Sequence, residues 1–167
     1  MEVSNLGEIK TLTMPDGWLN TRKLLGQFGN SYLYYFGPEG EPDLQFALFY
    51  RGKLMASLSG RNFRQILAKE SRTLSAREVL LLSEVLGNLA DPDLFDLTEA
   101  RAENLQGKPV LTATGIYPEL YLENFTVFID AGNDGCAVQE IVFSAPPMLY
   151  QRYLPAVLGC LESVQWR

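Results

Sequence analysis

Between Phe95 and Ser144, runs of alternating apolar and polar residues follow one another with only short turns between them, a pattern that commits this third of the chain to antiparallel strands. The runs are Phe95 to Leu105, Val110 to Tyr117, Leu120 to Asp130 and Cys136 to Ser144. Gly107-Lys108-Pro109, Pro118 and Asn133-Asp134-Gly135 join them, and the last of these is a hairpin signal because Asn, Asp and Gly tolerate positive φ. Phe125, Val127 and Ile129 share one face, with Asn124, Thr126 and Asp130 opposite. That spacing predicts a strand buried on one side only.

Upstream, Glu8 to Met14 alternates as a first strand and stops at Pro15-Asp16-Gly17. Trp18 follows and is expected to pack over the edge of the core. The segment 19–30 is ambiguous, because Gly26 and Gly29 argue against a long helix. Tyr32 to Phe36 and Leu44 to Tyr50 read as the strands of a hairpin. Arg51-Gly52-Lys53 is a turn, and Leu54 to Leu58 is expected to add a further strand.

Helical spacing appears at Phe63, Ile66 and Leu67 within residues 61–70. A stronger helix starts at Ser75, which forms a capping-box pattern with Glu78. Val79, Leu82, Leu86 and Leu89 make a stripe that Leu80, Leu81 and Val85 widen, so this helix must be deeply buried or covered by a partner. After Pro146-Pro147 the chain closes with an amphipathic helix, expected to kink or restart at Pro155. Strands followed by a packing helix give an α+β class: a single domain over residues 1–167, with an antiparallel sheet packed by helices including a C-terminal one.

With 167 residues, the chain is long enough for one well-cored domain. Its net charge of −6 would repel nucleic acid. There is no histidine, which removes Ser-His-Asp and Cys-His catalysis and His-ligated metals. Cys136 and Cys160 are too few for a disulfide framework or a four-thiolate metal site and read as small hydrophobes. No stretch reaches the roughly 18 apolar residues of a membrane span, and the opening MEVSNLGEIK lacks the build of a signal peptide, so a cytoplasmic, soluble protein is expected.

Several motifs resemble the PsbP-like fold family, which includes the photosystem II accessory protein, the DcrB-like bacterial proteins and a Ran-binding nuclear import factor. Met14-Pro15-Asp16-Gly17-Trp18 resembles the family's P-x-G-W opening. Gly107-Lys108-Pro109 before a strand, Phe143-Ser144-Ala145-Pro146 at the end of another, then Tyr150, Tyr153 and a helix reaching Leu161-Glu162-Ser163-Val164 are similar to its close. The likeness covers about the first twenty residues and the last seventy. It implies assembly factors, adaptors or secretion chaperones, and transfers no functional residue, since a fold does not assign a function.

Among chemically suggestive groups, Asp91, Asp93, Asp96 and Glu99 are dense enough for calcium or magnesium but lack the EF-hand glycine and terminal glutamate, and read as a solvated turn. Glu119 with Glu123, or Asp130 with Asp134, could supply the two carboxylates of a hydrolase. Cys160 sits beside Leu158 and Leu161, where a thiol is inert. Neither a Walker A pattern nor G-x-G-x-x-G occurs, and no catalytic, cofactor or metal residue is assigned. What remains is aromatic and apolar surface: Tyr32, Tyr34 and Phe36 on one strand face, Leu82, and Tyr117 and Tyr121 flanking Pro118.

The expectation is a non-enzymatic module that binds another protein through those residues, as adaptor, assembly factor or secretion chaperone. Its alternative is a pocket between sheet and helix for a small apolar or lipid-like ligand, and third comes a carboxylate-based hydrolase. The wide helix from Ser75 would equally suit a homodimer.

Overall fold

The computed structural model describes residues 1–25 and 32–167. A hairpin, β1 (Glu2–Leu6) and β2 (Ile9–Thr13), leads into β3 (Trp18–Leu25), β4 (Tyr32–Pro38) and β5 (Gln45–Lys53). Helix α1 (Ser57–Leu67), the short β6 (Arg72–Thr73), α2 (Ala76–Leu81), α3 (Ser83–Leu86) and a 3-10 turn (Gly87–Ala90) follow. The chain then runs through β7 (Asp96–Leu105), β8 (Lys108–Tyr117), β9 (Leu122–Ala131) and β10 (Ala137–Ala145), and closes with α4 (Pro147–Glu162) and β11 (Gln165–Trp166). The α+β class and its antiparallel sheet are as the sequence predicts.

The eight strands of the main sheet are ordered β3-β4-β5-β10-β9-β8-β7-β6, with antiparallel neighbours throughout; β1, β2 and β11 form a smaller sheet. Each face of the main sheet carries its own core. One is closed by the small sheet and α4, joining Ile9, Leu12, Trp18, Phe46, Ile141, Phe143, Val157 and Leu161. The other is closed by α1 to α3, joining Phe63, Leu82, Leu86, Phe95, Leu111, Phe128 and Val138.

This double cover corrects the half-buried reading of the 120–130 strand. Val127 and Ile129 face one core and Phe128 the other, and Asn124, Thr126 and Asp130 are buried as well. A strand so central has no solvent face to give its polar residues.

Other local expectations divide by how far their causes lie in the chain. Trp18 packs as expected, edge-on to Phe46 at 5.7 Å and to Tyr153 at 6.1 Å. The segment 19–30 is strand up to Leu25, and its remainder lies outside the described residues. The expected strand over Leu54 to Leu58 is not formed: Leu54 bonds to the Cys136 carbonyl, and α1 starts at Ser57. Glu84 caps that start by accepting from the Met55 and Ala56 amides, an anion at a helix N-terminus. Pro155 does not interrupt α4, which is one helix from Pro147 to Glu162.

The capping box is present, with Ser75 Oγ accepting from the Glu78 amide at 3.2 Å and Glu78 Oε1 from the Ser75 amide at 3.3 Å. The helix it opens, however, breaks at Leu82, where ψ is +16°. The break re-aims Leu82, Val85, Leu86 and Leu89 at the sheet and leaves Leu80 74% exposed. A straight helix could not turn leucines on every side toward one core. Leu82, expected at a partner surface, is therefore a core residue; Phe36, expected there too, is buried in the other core beneath the small sheet and α4. No helix among the described residues is long and apolar enough to cross a membrane.

Candidate functional site

The second core does not cover its whole face of the sheet. Helices α1 to α3 pack over Phe128, Leu111 and Val138, while the adjoining stretch of β9 and β10 carries Asn124, Thr126, Glu140 and Val142. A cleft of about 320 Å³ opens there, floored by those four side chains, with Arg51 and Phe49 on one flank, Tyr117 on another, and Leu86 to Leu89 as a wall.

Three local features build it. Tyr50 pairs with Gln139 and Gly52 with Val138, so Arg51 is an extra residue on β5, a bulge of the kind that re-aims a side chain beside a site. Gly87 takes φ +59° and ψ −128°, a conformation open to glycine, and turns the chain directly over Arg51; a Cβ there would lie 3.3 Å from Arg51 Nη1. Gly115 leaves room for Phe95 and the backbone beside it, since a Cβ there would run into the Asp96 carbonyl oxygen and come within 2.6 Å of Phe95 Cζ. Phe95 in turn holds the Tyr117 ring at 4.7 Å between centroids.

The electrostatics are set by two neighbours on the central strand. Gln139 and Glu140 are consecutive, so one faces each core. Gln139 is fully engaged: Oε1 accepts from the Glu8 amide at 2.8 Å, and Nε2 donates to the Leu6 carbonyl at 3.1 Å and the Tyr32 hydroxyl at 3.0 Å. Among the described residues Glu140 is paired with Arg51 alone, whose Nε lies 3.8 Å from its Oε2, with the Glu140 side chain 11% exposed. Burial pushes the Glu140 carboxyl up to about 7 despite the cation beside it. Arg51 Nη2 is buried and has no hydrogen-bond partner among the described residues. Asn124 Nδ2 donates to Thr126 Oγ1 at 2.9 Å. Tyr117 is also shifted up, by burial and by Glu140.

The residues expected at a partner surface do not converge. Tyr32 stacks on Tyr50 at 5.9 Å, beside Tyr34 at 5.3 Å, in a half-buried cluster near Gln139. Tyr117 lines the cleft, while Tyr121 is 71% exposed in the turn beyond it. The carboxylate pairs serve other ends. Asp130 Oδ1 accepts from the Gly135 amide and Asp134 Oδ1 from the Cys136 amide, both shaping the hairpin turn. Glu119 is exposed, while Glu123 lies on the opposite face of β9 from Asn124, outside the cleft, with its Oε2 buried and without a hydrogen-bond partner among the described residues. In the acidic cluster, Asp91 Oδ1 accepts from the Asp93 amide, and Glu99 pairs with Arg101 and Thr73. No group of metal-binding side chains gathers among the described residues.

Arg51, Glu140, Asn124 and Thr126 were not singled out from sequence. One signal was available: two adjacent polar residues, Gln139 and Glu140, inside an otherwise apolar strand, which a central position turns into one buried polar group per face.

No protein-family model matches the chain, and no curated protein sequence matches it significantly. Among solved structures it is similar to the solution structure of cyanobacterial PsbP (CyanoP) from Synechocystis sp. PCC 6803, with TM-score 0.55 and 10% identity over 100% of this chain and 92% of that one. It is also similar to PA94 from Pseudomonas aeruginosa, a protein of unknown function, with TM-score 0.52 and 15% identity over 94% and 91% of the two chains. At these identities the likeness is one of fold. The PsbP-like resemblance of the sequence motifs is thus matched by the architecture.

Proposed function

We propose that this chain is a non-catalytic binding domain that takes a small polar molecule in the cleft between its sheet and its helices. One observation carries the reading: Arg51, its side chain 24% exposed at the mouth of the cleft, buries its Nη2 there with no hydrogen-bond partner among the described residues. A buried donor left unmade costs about 1–3 kcal/mol, and folded proteins seldom tolerate one without a use. A ligand acceptor would satisfy it. The pocket expected from sequence was apolar or lipid-like, but its floor of Asn124, Thr126 and Glu140 suits a polar guest. Binding fits better than turnover, because the group Glu140 faces is the Arg51 guanidinium, and no hydrogen bond links Glu140 to the Thr126 or Tyr117 hydroxyl among the described residues. The exposed thiol of Cys136 suits a reducing compartment such as the cytoplasm.

Native mass spectrometry of gently purified protein tests this. Wild type should carry a small-molecule adduct that Arg51→Met lacks, and identical spectra for the two would count against the reading.

A second reading, as adaptor, assembly factor or secretion chaperone, rests on a separate observation. Leu80 stands out from a groove between α2 and β7 that Val79 and Leu97 also line. Leu80→Asp should then abolish capture of a partner while leaving the fold intact.

A further inference from the structure

The unsatisfied group in the cleft is a donor, so its guest must bring an acceptor. Arg51 is the one cation among the lining residues, and its Nε edge already faces Glu140 at 3.8 Å, which leaves Nη2 for the guest. A dianion would set two negative charges against a single guanidinium with a carboxyl alongside; a monoanion would meet one charge with one. The aromatic flanks of Phe49 and Tyr117 suit a flat apolar body behind the charged end. The cleft's volume of about 320 Å³ lies at the small end of ligand sites, which span about 300–1,000 Å³. Resting on the binding-domain reading above, we infer that the ligand is a small monocarboxylate whose carboxylate accepts from Arg51 Nη2 beside the Glu140 side chain on the cleft floor. Burial favours the acid form of Glu140, which then donates to the same carboxylate.

That arrangement couples binding to a proton. Glu140 is faced by Arg51 from β5 and Tyr117 from β8, while Glu84 of α3 acts on Arg51 from beyond; the wall at Asn88 is neutral. With Glu140 titrating near 7, the competent acid form falls about thirtyfold between pH 6 and pH 8.5. Affinity for a carboxylate should fall by the same factor, with proton uptake per ligand rising from about half at pH 7 to about one at pH 8.5.

Calorimetric titration with benzoate, benzamide and benzylamine at pH 6 and pH 8.5 is the test. Benzoate should bind wild type about thirtyfold more weakly at the higher pH. Glu140→Gln should bind it with no such dependence, and Arg51→Lys, which keeps the charge but loses the guanidinium fork, should bind it more weakly at both pH values. If benzamide or benzylamine binds in an Arg51-dependent manner and benzoate does not, the cleft is a binding site and the carboxylate inference is wrong. If benzoate binds with unchanged affinity at both pH values, the role of Glu140 is wrong. If no probe binds in an Arg51-dependent manner, both the inference and the binding-domain reading are overturned. Thermal melts of each variant confirm that the fold under test is intact.

Discussion

Replacing Glu140 with glutamine keeps the shape of the side chain and removes the proton that titrates. In the folded chain Glu140 holds that proton up to about pH 7, against an ordinary value of 4.5. Between the two values the folded state binds more protons than the unfolded one, so the wild type loses stability as pH rises and carries the full cost above pH 7. At about 1.36 kcal/mol per tenfold change, the full cost is about 3 kcal/mol, most of which develops between pH 5 and pH 8.5. Glu140→Gln escapes it. The variant should therefore gain about 2–3 kcal/mol over wild type on moving from pH 5 to pH 8.5, or about 4–12 °C in Tm for a chain of this size. Urea titrations of both proteins at the two pH values measure the difference directly, because the other carboxylates titrate alike in each. A constant gap between the proteins would refute the reasoning, since it would mean that Glu140 is ionised and solvated in the fold at both pH values. A buried acid kept at such a cost is what a binding site would explain, since sites commonly trade stability for function.

Further outcomes follow from the packing. Leu82→Ala should destabilise the domain by about 2–5 kcal/mol in denaturant titration, because Leu82 is fully buried against the sheet; a near-neutral effect would place it back on the surface. Gly115→Ala forces a methyl against the Asp96 carbonyl oxygen and the Phe95 ring and should cost about 1–3 kcal/mol or more, with loss of near-ultraviolet signal from the Phe95–Tyr117 pair. A disulfide reagent at pH 8 should titrate one thiol in the native protein, the exposed Cys136, since burial pushes the Cys160 thiol up to about 12; two rapid equivalents would contradict the burial of Cys160. Ser75→Ala should cost about 1 kcal/mol through loss of the cap on α2.

What could be read from sequence was what short-range chemistry controls. The four strands from β7 to β10 came within a few residues of their observed bounds, because period-two patterning and the turns at Gly107 and Asn133 act locally. The cap at Ser75 was legible for the same reason. The break at Leu82 was not, since it answers to a sheet face assembled from strands far along the chain. Strand β1, with the sequence EVSNL, is too polar to announce itself and exists because β2 pairs with it. The cleft was the least legible element. Arg51 and Glu140 meet only because β5 pairs with β10 across a bulge, and a register between distant strands leaves no trace in either segment alone. Tyr117 was named as a partner-surface candidate and instead lines the cleft.

The central claim is that the space beside Arg51 and Glu140 is a ligand site. Its most direct test is an NMR titration of isotope-labelled protein with a library of small polar fragments, following the Arg51 Nε–H and the amides of Gly87, Thr126 and Glu140. The account predicts that fragments bearing a carboxylate shift those signals together and saturably, and that Arg51→Met abolishes the effect. Fragments that bind only elsewhere, at the α2–β7 groove or along α4, with the four reporters unmoved, would contradict it.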